Sequence, residues 1–150
     1  EGWWGHDKSS RFKMPLNFKP IVTAEAWQLS NPPILSMAAL LASLKIFKNA
    51  GMKNLVSKSN LLTSYLEFLI LEKLNKHIQI ITPNTPNERG CQLSIKLKKP
   101  IKNITNILYK SGIISDWREP DVIRIAPVPL YNTFNDCYEF VNRFEKIIHG

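Results

Sequence analysis

The apolar residues of this chain change period near residue 75, and that change restricts its fold class more than any other feature. Up to about residue 75 they recur at helical spacing. Ile34, Leu35, Met37, Ala38, Leu40, Leu41, Leu44, Ile46 and Phe47 form one such segment, and Leu55, Leu62, Leu66 and Leu69 a second. From Ile78 onward short runs alternate instead. Residues 78–82 read as a strand, and Cys91, Leu93, Ile95 and Leu97 alternate with Gln92, Ser94 and Lys96. Residues 113–115 read as a short strand and residues 122–126 as a third full one. Helical spacing returns from Pro100 to a stop at Gly112, with Ile101, Ile104, Ile107 and Leu108 on one face. It returns again after Thr133, where Thr-x-x-Asp136 is a capping signature ahead of Tyr138, Val141, Phe144, Ile147 and Ile148. Two long helices, then strand, strand, helix, short strand, strand and helix make an α+β chain. Its helices lie on one face of a small, mostly antiparallel sheet.

The punctuation of the helices supports this order. Ser30 or Asn31 can cap the first one, and Pro32 and Pro33 suit a first turn that needs no amide hydrogen. Apolar residues surround most of that helix until Lys45, so its first half is expected to be buried. Gly51 is its candidate stop, and the second helix runs over residues 52–75. Residues 26–44 carry no charge, but Gln28, Ser30, Asn31 and the two prolines shorten the continuous apolar part to about a dozen residues, where a membrane span needs ~20. A core helix is the reading, with neither signal peptide nor membrane helix.

Residues 1–29 are different. Gly2, Gly5, Pro15 and Pro20 punctuate an irregular arm, and Trp3, Trp4, Phe12, Phe18 and Trp27 load it with apolar surface. Such a loop is expected to pack on another body, either the rest of the chain or a second subunit. The expected division is therefore an arm over 1–30, a connecting helix over 31–51 and a small α+β domain over 52–150. The first residue is Glu1 and not Met, so the chain is expected to be a piece of something longer.

Composition removes several function classes. Two cysteines, Cys91 and Cys137, exclude a disulfide framework and a four-cysteine zinc module, and fit a reducing compartment, the cytoplasm. His6, His77 and His149 lie far apart with no metal-ligand spacing, so no metal site is expected. Net charge is +8, from 20 basic and 12 acidic residues, which raises nucleic acid as a partner. The lysines are scattered, however. The densest run, Lys96, Lys98, Lys99 and Lys102, sits at a strand end away from the aromatic residues of the arm. No phosphate-cradling glycine loop, nucleophile elbow or His/Cys pair is present.

Three stretches carry more. They are Gly2-Trp3-Trp4-Gly5-His6, Ser30-Asn31-Pro32-Pro33 at a helix start, and residues 123–132 (IRIAPVPLYN), a strand with an arginine in its middle. Residues 43–48 (SLKIFK), 61–63 (LLT), 65–67 (YLE), 80–83 (IITP) and 88–93 (ERGCQL) accompany them in order. Together they resemble the C-terminal third of eukaryotic kynureninase over nearly the whole chain. The segment between the second helix and the first strand is a few residues shorter than in that family.

The resemblance implies a fold-type I enzyme using pyridoxal 5'-phosphate, with a small C-terminal domain closing over a cofactor-bearing large domain. It implies a homodimer with active sites shared across the interface. The implied reaction is hydrolytic cleavage of L-kynurenine or 3-hydroxykynurenine to alanine and an anthranilate, within tryptophan catabolism and NAD biosynthesis. By resemblance, Arg124 holds the substrate α-carboxylate, Trp3 contacts cofactor phosphate, Asn31 contacts the cofactor, and Ser30 and Asn31 lie near the substrate. The residue types suit these roles. A guanidinium fork matches a carboxylate, an indole N–H suits a phosphate oxygen, and a helix N-terminus favours anions. A surface salt bridge for Arg124, an apolar anchor for Trp3 and a plain cap for Asn31 are the simpler readings. Trp4 reads as an anchor and His6 as incidental.

No catalytic residue is assigned, because in the family the Schiff-base lysine precedes the Gly-Trp-Trp-Gly-His stretch. The 150-residue chain alone is accordingly expected to be inactive. A non-catalytic relic or interaction partner on the same fold, a basic nucleic-acid-binding module, and a cysteine desulfurase of the same cofactor superfamily are the alternatives. The last is disfavoured because Cys91 falls in a strand and Cys137 in a helix, where both read as core.

Overall fold

The structure is a computed structural model describing residues 2–150; Glu1 lies outside them. The chain divides into two compact units, one ending at Asn49 and one spanning Ala50–Gly150.

The first unit holds the arm and helix α1 (Ile34–Ala50), whose last residue is assigned to the second unit. The arm contains three short 3-10 turns, Trp3–Gly5, Arg11–Lys13 and Ala24–Trp27, and an isolated bridge between His6 and Pro20. Two expectations for α1 are corrected. Neither Ser30 nor Asn31 caps it. The first helical bond runs from the Met37 N–H to the Pro33 carbonyl, so Pro33 holds the cap position. The α region is disfavoured for a residue before proline, which applies to both Asn31 and Pro32 and accords with a helix that begins only at Ile34. No residue of α1 is buried, and Leu35 is 88% exposed. Among the described residues its unit has no second long element to lay against the apolar surface of this helix.

The second unit is built on α2 (Met52–Leu74), β1 (Ile78–Ile80), β2 (Leu93–Leu97), α3 (Ile104–Lys110), β3 (Asp116–Arg118), β4 (Val122–Ile125) and α4 (Phe134–His149). The four strands form one sheet in the order β1-β2-β4-β3, antiparallel at every pairing. The register places Leu93 opposite Ile125 and Ile95 opposite Ile123, with all four buried. Period-2 alternation sends these side chains to one face, where they meet Leu62, Leu66, Ile70 and Leu74 of α2 and Cys137, Val141 and Phe144 of α4. The other face carries Ser94, Lys96, Arg118, Arg124 and Asp116.

The three strands read over 78–82, 91–97 and 122–126 are trimmed by one or two residues, and two larger shifts each have a local reason. α3 starts at Ile104 and not at Pro100, because Asn103 takes a left-handed conformation, which asparagine tolerates and a helix does not continue. Residues 113–115 are not a strand. Gly112, at φ +74°, ends α3, and the Ile113 N–H returns to the Leu108 carbonyl at 2.9 Å, so buried Ile113 is the apolar contact of a helix stop. The edge strand is Asp116–Arg118 instead. The capping box on α4 is present as expected, with the Thr133 hydroxyl accepting from the Asp136 N–H and the Asp136 carboxylate accepting from the Thr133 N–H.

Candidate functional site

The two glycines of Gly2-Trp3-Trp4-Gly5 explain the motif locally. In a 3-10 turn, residues three apart share a face. Gly2 and Gly5 use that face to lie against backbone. A Cβ on Gly2 would strike the Leu29 Cα and stand 2.8 Å from the Gln28 carbonyl oxygen, and one on Gly5 would strike the Ala26 carbonyl. The N-terminal turn is thereby pressed onto the segment that leads to Ser30 and Asn31, and both indoles turn elsewhere.

Trp3 stays 52% exposed and meets the Phe12 ring edge-on at 5.9 Å between centroids. Its indole N–H donates to no described residue. Trp4 lies under the Arg11 guanidinium, 4.6 Å from ring centroid to Cζ. Arg11 is buried, and its Nη2 donates to the carbonyls of Trp4 at 2.7 Å and His6 at 3.2 Å. Its Nε has no partner, and no carboxylate pairs with it among the described residues. The arm thus holds a positive charge, stacked on Trp4, that no carboxylate compensates among the described residues. His6, expected to be incidental, is a buried link. Its Nδ1 accepts from the Lys19 N–H at 3.2 Å, which leaves the ring proton on Nε2 to donate to Ser10 Oγ at 3.1 Å.

Ser30 and Asn31 are exposed just ahead of α1. The Ser30 carbonyl accepts from Gln28 Nε2 at 3.2 Å, while the side chain of Asn31 makes no hydrogen bond to a described residue.

Arg124 belongs to the second unit. It lies mid-β4 between buried Ile123 and Ile125, so alternation sends it to the open face of the sheet, as the sequence implied. Ser94 of β2 stands opposite on one side and Asp116 of β3 on the other. The guanidinium donates from both Nε, at 2.6 Å, and Nη2 to Asp116 Oδ2. Arg118 Nη2 approaches the same oxygen at 3.2 Å. Arg124, with Arg118 beside it, holds the Asp116 carboxyl below the usual carboxylate range. Asp116 is the residue that sequence reasoning missed. The signal was its place two residues before Arg118 in a strand that pairs with β4, and it was hidden because 113–115 looked more strand-like.

The segment after β4 is fixed by side chains. Lys58 of α2 donates to the Pro129 carbonyl at 2.8 Å, and Asn132 Oδ1 accepts from the Val128 N–H at 2.8 Å. A crevice of about 670 Å³ lies there, lined by Ala126, Pro127, Tyr131, Asn132, Asp136 and Arg143 among others. Arg124 does not line it, so this crevice is not where a ligand would meet the arginine. Trp3, Ser30 and Asn31 stand in one unit and Arg124 in the other.

No group of three or more His, Cys, Asp or Glu among the described residues is placed to hold a metal ion. No single helix there is long and apolar enough to cross a membrane. In the lysine run, Lys96 pairs with Asp121 at 3.2 Å and Lys98 donates to the Asn75 carbonyl at 2.8 Å.

Known proteins match this chain over nearly its whole length. The kynureninase C-terminal domain model matches residues 55–144. A kynureninase of Koribacter versatilis is 52% identical over 143 residues, covering 95% of this chain and 34% of that protein. One from Xanthomonas oryzae pv. oryzae is 50% identical over 147 residues, covering 96% and 35%. One from Flavobacterium psychrophilum is 48% identical over 148 residues, covering 97% and 35%. All three are bacterial, so the likeness is not confined to eukaryotic members. The chain spans about a third of the length of these curated relatives. Among solved structures, a mutant of C-DES with glycine covalently linked to its PLP cofactor has the same fold, at a TM-score of 0.68 and 14% identity, over 98% of this chain and 36% of that one. With the domain model matched over most of the second unit and close relatives covering the arm as well, the chain belongs to the kynureninase family, as its C-terminal part.

Proposed function

We propose that the full-length protein carrying this chain is a pyridoxal-phosphate-dependent hydrolase that cleaves the side chain of L-kynurenine or 3-hydroxykynurenine, giving alanine and an anthranilate. The observation that carries this reading is the near-50% identity to kynureninases across both units. It is supported by a guanidinium on the open sheet face and by an indole N–H with no acceptor in the arm.

The arm's residues fit an anionic cofactor. Trp3 offers a donor to a phosphate oxygen, and the charge of Arg11, stacked on the neighbouring Trp4 and without a carboxylate partner among the described residues, favours an anion nearby. Asn31 offers a free amide ahead of α1. Pyridoxal phosphate, when bound, supplies the electron sink for a carbanion at the substrate α-carbon. Arg124 binds the α-carboxylate and orients the substrate, and Ser30 and Asn31 are assigned to the substrate as well. This chain's contribution is placement, which counts because small errors in geometry cost large factors in rate. The lysine that moves protons belongs to the large domain, so residues 1–150 alone are inactive.

A homodimer with shared sites fits the arm and α1. Phe12, Trp27 and the residues of α1 expose more apolar surface than a soluble monomer keeps. The arm is then part of the large-domain and interface region. Cys91 and Cys137 are unpaired, in keeping with the cytoplasm. Neither nucleic acid nor membrane is a partner in this reading.

The test is anthranilate release by the full-length holoenzyme and by its Arg124→Lys and Trp3→Phe variants. Turnover in the parent, with a roughly hundredfold loss in Arg124→Lys, supports the reading. A full-length protein that binds cofactor but cleaves neither substrate points instead to a relic on the same fold.

A further inference from the structure

A long arginine side chain on a strand is a poor carboxylate receptor unless something holds it, because ordering its many rotamers costs conformational entropy. The sheet contains such a holder. Asp116 is the direct cross-strand neighbour of Arg124, and one carboxylate oxygen takes both Nε and Nη2. Those two nitrogens form one edge of the guanidinium. The other edge, Nη1 with the second proton of Nη2, is bonded to no described residue. Arg118 braces the same Asp116 oxygen from along β3. Ser94, on the far side of Arg124, carries no charge to compete.

We propose that Asp116 is a positioning residue, which clamps Arg124 by its Nε–Nη2 edge so that the Nη1–Nη2 edge is presented ready-made to the substrate α-carboxylate. The inference rests on the reading of Arg124 as the carboxylate receptor. The reverse possibility is that Asp116 competes with the substrate for the guanidinium, in which case its removal would tighten binding. Geometry favours the clamp. A planar fork can serve two carboxylates at once on its two edges, and Asp116 occupies only one.

The experiment is calorimetric titration of full-length holoenzyme with L-alanine and with L-alaninamide, which differ in the carboxylate alone. The readout is the preference for alanine, a quantity that a general loss of structure does not select. The native protein prefers alanine, and Arg124→Ala abolishes the preference. Asp116→Ala lowers it roughly tenfold. Asp116→Asn, which keeps an oxygen acceptor for Nε, retains more of it than Asp116→Ala does. Asp116 is half exposed on an edge strand, so both variants are expected to unfold only slightly below the parent and stay folded at the temperature of the titration. An unchanged or larger preference in Asp116→Ala overturns the clamp, and so do equal losses in the two Asp116 variants. If Arg124→Ala still prefers alanine, the carboxylate reading itself fails, and the clamp with it.

Discussion

Glu67 and Arg89 form an ion pair across the second unit, 2.7 Å from Oε2 to Nη2, with side chains only 17% and 4% exposed. Glu67 sits on α2 and Arg89 in the turn segment ahead of β2, so the pair pins that segment to the helix. Nη1 of Arg89 also donates to the Pro83 carbonyl at 3.3 Å. Removing one partner strands a charge in a site with little water. Glu67→Ala or Arg89→Ala is expected to destabilise the chain by about 3 kcal/mol, whereas the paired change Glu67→Leu with Arg89→Met recovers most of that. Urea unfolding of the three variants checks this, and equal losses in singles and pair would contradict it.

The backbone contacts of Gly2 and Gly5 make a second prediction. Gly5→Ala places a methyl into the Ala26 carbonyl, and neither side of that contact is a flexible side chain that could move away. The N-terminal turn must lift off, at a cost on the order of 1–3 kcal/mol. Trp3 and Trp4 then change environment, so tryptophan fluorescence should shift in Gly5→Ala. It should stay unchanged in Gly90→Ala, where nothing stands within 4 Å.

The pH dependence is two-sided. On the acid side, Asp7 is held far below the usual carboxylate range by hydrogen bonds from Lys19 and Ser9. Arg124 lowers Asp116, and the hydrogen bonds of Thr133 lower Asp136. Each folded-state value lies below its unfolded one. The stability these groups add is therefore complete above about pH 4–5 and is lost as pH falls through the lowered values. On the alkaline side, burial pushes the Cys137 thiol up to about 11. A raised thiol adds stability that is complete below its unfolded value, and that stability drains as pH rises through about 11. Melting temperature against pH should fall at both ends. Thr133→Ala should cost ~1 kcal/mol near neutrality and flatten the acid limb.

Cysteine reactivity separates the two thiols. Cys137 is buried against α2 and raised by desolvation, while Cys91 is partly exposed. Iodoacetamide near pH 8 should modify Cys91 first and leave Cys137 intact until the chain unfolds. Rapid modification of Cys137 in the folded protein would contradict its place in the core.

The parts of the fold legible in the sequence are those where one period or one cap decides the outcome. Alternation through Leu93, Ile95 and Leu97 identified β2 and its buried face, and Thr133 with Asp136 marked the start of α4. Where two local signals compete, the sequence misleads. Ile113 and Ile114 look like a strand, but Gly112 spends Ile113 on a helix stop. The true edge strand, Asp116-Trp117-Arg118, has two charges and so reads as a turn. Ser30 and Asn31 look like caps with Pro32 and Pro33 as the first turn, but the helix starts only after the proline pair. Arg124 was legible as a residue aimed off the core face. Asp116 was not, because its role exists only once β3 is placed beside β4. The burial of His6 and Arg11 depends on an irregular arm folding onto itself, which no periodicity encodes.

The core of the second unit is closed by helices from its two ends, α2 and α4, with Leu62 and Leu66 on one side and Val141 and Phe144 on the other. On a growing polypeptide α2 and all four strands are made before α4. Until Phe144 emerges, the inner face of the sheet and the apolar side of α2 stay wet, and a stable tertiary structure cannot form. The nascent second unit therefore passes through a prolonged sticky stage, and helper proteins that shield bare leucines during translation would act in that interval. Any stop codon placed between Thr133 and Phe144 should yield an aggregate rather than a shortened domain.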